Sequence, residues 1–506
     1  LPSHPSGDAR DGGHRRIRAE PRPHTALAWS IANTAVTKLG TMVVGILVAR
    51  LLGPESYGTY AVAFLALMAV LSFNELGVSL AVVRWKEDPR EIAPTVTTIS
   101  VGTSLLIAAA MVVGAGPYAR AMGEPDAAVL VALFAVPVVL SGITATPAAL
   151  LQRNLMQGKR MLIDQTATLV TVPVMLGLAL AGAGPYALVI GHLLGVSVTT
   201  VMFLRMSPLP WRMGLSRTHA VALLGFGAPL AVTSILVFAV GFADQIVIGG
   251  LLGATALGLY VVAFNLSSWP VTMLSRPLRQ VTPVIFARLQ RDPDAMRHAF
   301  SRLSALVLTV TLPGCVALAA LAPEVIRLVY GEVWQAAAAP LAWLGALAVL
   351  RISFELAYDF LVIAGSTRSL MTIQVVWLIA LVPALLAGAA WSGVGGVGMA
   401  AFGVGLVVIL PLHLFYLARA GVGIGGLASG AALPALGALA VGGAAVGLRA
   451  VQPSVWVTCA VTGLVLAAVW AVLLRRRRED VSWFRSGAGS PTPTEPPTTR
   501  SEDIHV

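Results

Sequence analysis

Fourteen apolar runs of about twenty residues, separated by short polar or charged segments, leave this chain few ways to fold. A run of that length crosses the hydrocarbon core of a bilayer as a helix, because a helix satisfies every backbone N–H and C=O within its own segment. The runs lie at about 27–52, 57–83, 94–114, 127–151, 161–181, 185–204, 222–251, 256–279, 303–322, 336–363, 370–388, 395–418, 427–448 and 454–474. An all-α, polytopic membrane protein is therefore expected. Composition agrees: 57% of the 506 residues are hydrophobic and 11% charged, against about 25% charged in soluble domains. The first run follows a polar, Arg-rich stretch and exceeds the length of a signal-peptide core, so it is expected to remain as a transmembrane helix.

The net charge of +11 would suit a nucleic-acid binder, and its distribution decides otherwise. With the N-terminus placed in the cytoplasm, the segments on that side carry 28 Lys and Arg residues, and those on the other side only Arg120, Arg327 and Arg449. This is the positive-inside pattern. It places both termini in the cytoplasm with an even number of spans, and it removes nucleic acid from the expected partners. Residues 1–25 and 477–506, rich in Arg, Pro, Ser and Thr, are expected as disordered tails.

Cofactor chemistry is not expected. Cys315 and Cys459 both fall inside apolar runs, which argues against a disulfide framework or a cysteine metal site. Gly158-Lys159 is followed by Arg160 rather than Ser or Thr, so there is no phosphate-binding loop. No metal-ligand spacing appears, and the loops expected outside are too short and too poor in acids to hold a catalytic site. No catalytic residue is assigned and the chain is read as a non-enzyme.

An internal repeat organises the runs. Leu51-Leu52-Gly53-Pro54-Glu55-Ser56-Tyr57-Gly58-Thr59-Tyr60-Ala61-Val62-Ala63-Phe64 returns 200 residues later as Leu251-Leu252-Gly253-Ala254-Thr255-Ala256-Leu257-Gly258-Leu259-Tyr260-Val261-Val262-Ala263-Phe264, with eight of fourteen positions identical. Six spans separate the copies, so the two repeats run in the same direction, related by a pseudo-two-fold axis along the membrane normal. The expected units are an N-lobe over 26–218, a C-lobe over 219–421, each of six helices, and two further helices over 422–476. Gly53 and Gly253 can end a helix in a left-handed cap, while Gly58 and Gly258 let the next helix start close by.

The repeat segments also carry a family resemblance. Asp244-Gln245-Ile246-Val247-Ile248-Gly249 running into Leu251-Leu252-Gly253, Val281 and Pro283 before Leu289-Gln290 and Asp292-Pro293, Ala322-Pro323-Glu324, Tyr330-Gly331 and Trp334 resemble the polysaccharide exporter and oligosaccharide flippase family of the multidrug/oligosaccharidyl-lipid/polysaccharide superfamily. The likeness covers about residues 27–420. It implies alternating access by two lobes that pass a polyprenyl-diphosphate-linked glycan from the inner to the outer leaflet of the cytoplasmic membrane. The lipid bilayer and the lipid-linked glycan are then the partners, with a glycan polymerase or ligase as a further one, and the transport unit is a monomer. A proton gradient, a sodium gradient or the membrane potential would drive it.

Charges inside the runs mark the candidate site, since one at the centre of a lipid-facing helix costs about 2.5–3.5 kcal/mol on insertion scales. Arg351, Glu355 and Asp359 in the tenth run are four apart and share a helix face. They form either a polar wall, with Arg351 meeting a diphosphate or sugar acid and the carboxylates a coupling ion, or a structural ladder with Arg351 paired to Glu355. Asp244 is a candidate ion site, an outer-gate partner for Lys38 or Arg50, or a packing residue; Lys38 is also a substrate or ion candidate. The offset of 200 sets Glu75 opposite Ser275, beside Arg276 and Arg279. These three are candidates for an inner gate, the alternative being that the two arginines anchor at lipid headgroups. His192 and His413 can relay protons or simply pack. A lipid II flippase also has fourteen spans, the last two able to form a lipid groove, but its cluster of cavity arginines is not evident in the first lobe. A multidrug antiporter normally lacks the last two helices.

Overall fold

The computed structural model describes residues 23–74, 78–85, 88–451 and 454–485. Among them there is no strand, and ten segments are long and apolar enough to cross a membrane. In chain order the helices are α1 (Pro23–Asn74), α2 (Val78–Arg84), α3 (Pro89–Ala121), α4 (Ala127–Leu133), α5 (Ala135–Arg153), α6 (Gln157–Leu180), α7 (Tyr186–Met206), α8 (Arg217–Leu252) and α9 (Ala254–Arg288). There follow α10 (Pro293–Ala320), α11 (Ala322–Val329), α12 (Ala338–Ile363), α13 (Thr367–Val404), α14 (Leu410–Arg419), α15 (Ile424–Ala450), α16 (Val455–Arg476) and α17 (Arg478–Arg485).

Two of these helices turn back on themselves. α1 breaks at Gly53 and α13 at Ser392–Gly393, so each supplies two antiparallel arms. Asp88 and Asp292 cap α3 and α10 in the same way: each carboxylate accepts a backbone N–H of the first turn, from Arg90 (2.9 Å) and Ala295 (3.0 Å), and each is followed by proline. Proline suits that position because its missing N–H has no helical partner there. The tail expected to begin at 477 starts with a helix instead, as α17 is held by Arg302 and Arg477 around Asp480, with Arg302 over the Trp483 ring.

Packing partners fall into two sets. α1 to α7 pack on one another, and α9, α10, α12, α13 and α14 do the same, while α8 touches both and α1 packs on α9 across the two sets. α15 and α16 lie against α10, where the Trp470 indole N–H donates to the Val310 carbonyl (3.1 Å).

The repeated turns meet each other. Gly53 (φ 71°, ψ 171°) and Gly253 (φ 83°, ψ 179°) adopt the same backbone conformation. It is not the expected left-handed cap: with ψ near 180° it is an extended mirror-image region that essentially only glycine enters. Gly58 and Gly258 then sit back to back. A Cβ at Gly258 would lie 2.7 Å from the Pro54 carbonyl oxygen and 3.0 Å from the Gly58 Cα, and one at Gly58 would overlap the Ala254 carbonyl. The largest hydrophobic cluster surrounds this contact and spans both sets, with Ala61, Val62 and Leu65 from one and Ala254, Leu257 and Trp334 from the other. At the opposite, Arg-rich end the clusters stay within one set, except that Leu223 of α8 joins Ile92 and Leu150. The sets are thus closed together at the hairpin end of the molecule.

Candidate functional site

α12 carries the charge stripe, and its neighbours divide it. Arg351 and Glu355 line a cavity of about 400 Å³ together with Arg279 of α9, Tyr358 of α12, Gln374 and Trp377 of α13 and His413 of α14. Asp359, one turn further, turns into protein: it is 9% exposed and accepts the Thr282 hydroxyl at 2.7 Å. The stripe is therefore a wall for two residues and a packing contact for the third.

The ladder alternative fails on geometry, since among the described residues no ion pair within 4.0 Å joins Arg351 to Glu355. Arg351 instead places its guanidinium over the Phe264 ring, 5.3 Å from the centroid. A planar cation gains about 0.5–2 kcal/mol from a ring face and keeps its edge donors available. Glu355 Oε2 is buried without a hydrogen-bond partner among the described residues. Two guanidiniums against one carboxylate leave the cavity cationic, while Trp377, Phe354 and Tyr358 give it aromatic surface.

Asp244 does not line this cavity but is linked to Arg351 in its wall through the repeat motif. Tyr260 donates its hydroxyl to Asp244 Oδ2 (2.6 Å), and the Gln245 N–H donates to Oδ1 (2.8 Å). Tyr260 stacks on Phe264 at 6.3 Å, and Phe264 carries Arg351. Asp244 is consequently not an outer-gate partner of Arg50, which donates to the Leu328 carbonyl (2.8 Å) and ties α1 to α11. The aromatic pair exists in both sets, Tyr60 on Phe64 at 5.5 Å being the counterpart, but position 44 is Val44 where the second set has Asp244. The duplicated scaffold carries charge in one copy.

His413 stacks flat on Phe354 at 4.4 Å, its Nδ1–H donating to the Ile409 carbonyl (2.9 Å), just beyond a π-helical turn over Gly405–Ile409. Such turns re-aim side chains and are frequent at functional sites. His192 packs edge-on against Phe64 and Phe134. Glu75 lies outside the described residues, as do the side chains of Lys38 and Arg276; of the inner-gate trio only Arg279 is described, in the cavity wall.

Sequence reasoning missed two features. Tyr260 and Phe264 counted only as marks of the repeat, although a tyrosine sixteen residues after a membrane aspartate is a ready donor. Glu324 and Arg449 were loop charges four spans apart in the sequence; they form a bidentate pair, Nε–Oε1 2.8 Å and Nη2–Oε2 2.7 Å, that fastens α15 to α11. No local signal links residues 125 apart.

Comparison with known proteins places the chain. Residues 47–339 match the family model described as polysaccharide biosynthesis protein, which is more than half of the sequence. The chain belongs to this family. Among its curated relatives is the lipopolysaccharide biosynthesis protein WzxC of Escherichia coli (strain K12), 24% identical over 310 residues, 61% of this chain and 63% of that one. The succinoglycan biosynthesis transport protein ExoT of Rhizobium meliloti (strain 1021) is 26% identical over 312 residues, 61% of this chain and 62% of the relative. The matches thus span under two thirds of these relatives' length. Among solved structures, the lipid II flippase MurJ in an inward closed conformation superposes with a TM-score of 0.70 at 12% identity, over 89% of this chain and 100% of that one. An inward-facing multidrug resistance MATE family transporter of the MOP superfamily gives 0.58 at 17% identity, over 75% and 94%. The chain shares the fold of these two structures, and the protein is a multi-pass membrane protein.

Proposed function

We propose that this protein is an alternating-access flippase that moves a polyprenyl-diphosphate-linked oligosaccharide or polysaccharide precursor across the bacterial cytoplasmic membrane, without a catalytic step. The carrying observation is the cationic, aromatic-lined cavity around Arg279 and Arg351, in a molecule whose two helix sets pack together at the opposite, hairpin end. Guanidiniums match the oxygens of a diphosphate or a sugar acid, and aromatic faces match sugar rings. The names of WzxC and ExoT, which refer to lipopolysaccharide and succinoglycan biosynthesis, support a glycan cargo.

In this reading the N-lobe is 26–218, the C-lobe 219–421 and the added pair of helices 422–476, with fourteen spans in all. The Arg-rich end and both termini face the cytoplasm, as the 28-to-3 distribution of basic residues supports. Arg351 and Glu355 form the substrate wall. Asp244, held by Tyr260 in the line of contacts that leads through Phe264 to Arg351, is the site where a proton or sodium ion is exchanged for cargo; Asp359 and Lys38 are accessory charges. Glu75 with Arg276 and Arg279 closes the cytoplasmic gate in the opposite state. The flipped glycan passes to a polymerase or ligase, and one chain forms the transport unit.

A second reading, transport of lipid II, is favoured by the superposition on the whole of MurJ. One experiment separates the two. In its host, loss of the protein should make a lipid-linked oligosaccharide accumulate in the inner leaflet, with lipid II levels unchanged. Accumulation of lipid II instead would establish the second reading, and accumulation of neither would refute both.

A further inference from the structure

We propose that the first helix set holds a separate site at its Arg-rich end, built for the phosphate of an anionic membrane lipid. A cavity of about 370 Å³ lies there between α3, α5 and the segment 207–212 that follows α7. That is within the size range of small-ligand sites. Arg90 and Arg212 line it, and among the described residues neither makes an ion pair within 4.0 Å. Trp211 stands at the rim, 40% exposed, its indole N–H donating to the Ile143 carbonyl (3.3 Å). Pro94, Pro147, Pro208 and Pro210 stiffen the wall.

The second set supplies an internal comparison. Its corresponding helix start is α10, and its corresponding linker runs from α14 to α15. There Arg297 reaches back, donates from Nε to the Ala420 carbonyl (3.0 Å) and pairs with Asp294 (2.7 Å). A Cβ at Gly421 would lie 2.6 Å from its guanidinium carbon, so the side chain fills that place. The second set has an arginine packed and ion-paired where the first has an open cavity and two guanidiniums with no ion pair within 4.0 Å among the described residues. Position completes the chemistry. A tryptophan at the rim marks the bilayer interface, and basic pockets between transmembrane helices hold anionic headgroups. Two planar guanidiniums suit a phosphodiester because each can offer paired N–H donors.

Occupancy has a mechanical consequence. The same segment continues into the strap that leads to α8, pinned by the Gly214 N–H to Thr98 Oγ1 (3.0 Å), Thr98 Oγ1 to the Gly214 carbonyl (2.9 Å) and the Ser216 N–H to Thr95 Oγ1 (3.2 Å). α8 packs on helices of both sets. A lipid bridging Arg90 and Arg212 therefore fixes the start of that helix on the first set, and this holds whatever the cargo.

The test uses the full chain in a detergent free of anionic lipid, with phosphatidylglycerol, phosphatidylcholine or inorganic phosphate added, and reads thermal unfolding together with lipids retained in native mass spectrometry. Phosphatidylglycerol should bind and raise the unfolding midpoint, while phosphatidylcholine and inorganic phosphate should not. Arg90→Gln and Arg212→Gln should each weaken its binding about tenfold or more, the loss of a charged hydrogen bond, whereas Arg368→Gln at the same end should leave it unchanged. The charge-keeping double variant Arg90→Lys/Arg212→Lys should fold and retain the preference for phosphatidylglycerol at lower affinity. Undiminished phosphatidylglycerol binding in the double Gln variant, equal stabilisation by phosphatidylcholine, or reproduction of the shift by inorganic phosphate alone would each overturn the proposal.

Discussion

Replacing Gly258 by alanine tests whether the back-to-back hairpins are the closed gate of a transport cycle. The added Cβ would lie 2.7 Å from the Pro54 carbonyl oxygen, where ordinary contact begins at about 3.4 Å, so the hairpins must part by roughly 0.7 Å. The opposing atoms are backbone and have no rotamer to change. Overpacking of this kind costs about 1–3 kcal/mol, and it applies only to the state in which the hairpins touch. The population closed at that end should fall relative to the open one by about 5- to 150-fold. Alanine is also the better helix former, which removes any local reason for the open state to suffer. Nitroxide labels at 55 and 333, exposed positions on the two sets at this end, would report the shift as a longer distance distribution in a background with Cys315 and Cys459 replaced. Gly45→Ala, where nothing lies within 4 Å, is the matched control. A Gly258→Ala protein with the parent's distances and transport rate would refute the reasoning, because the contact would then not be one that opens.

Gly58→Ala should act in the same direction and more strongly, since its Cβ would overlap the Ala254 carbonyl outright. Arg351→Gln should abolish glycan translocation in reconstituted vesicles while leaving thermal unfolding near the parent's, because its guanidinium faces the cavity and a ring rather than a partner carboxylate; a large drop in the unfolding midpoint would show a structural role. Tyr260→Phe removes the hydroxyl that holds Asp244 at 2.6 Å and should slow transport by about tenfold or more through a hydrogen bond to a charged group, measured as flipping rate under an imposed ion gradient. Arg449→Met should destabilise by about 2–3 kcal/mol, less than a fully buried pair because the Arg449 side chain is 45% exposed. Arg327→Met, which breaks an exposed pair with Glu332, should cost about 0–1 kcal/mol in the same unfolding assay.

The sequence by itself determined the all-helical, membrane-spanning class and the turn motif that recurs in both halves. Each of these rests on a local or periodic property: the length of an apolar run, or a turn motif that recurs at a fixed offset. Gly53 and Gly253 were legible as positions requiring glycine, although the conformation they adopt is extended rather than a left-handed cap. Only the tertiary structure decided what the motifs touch. Gly58 and Gly258 read as allowances for a tight hairpin, yet their lost side chains let two hairpins from opposite halves meet. Arg351, Glu355 and Asp359 read as one stripe, yet α9 approaches the last of them closely enough for Thr282 to take Asp359 out of the cavity. A helix face spans a wide arc, and spacing by four assigns residues to that face without saying where along it a neighbour begins. Asp244 reached Arg351 only through Tyr260 and Phe264, and Glu324 found Arg449 across 125 residues, because pairing of charges in a membrane protein is set by which helices lie side by side.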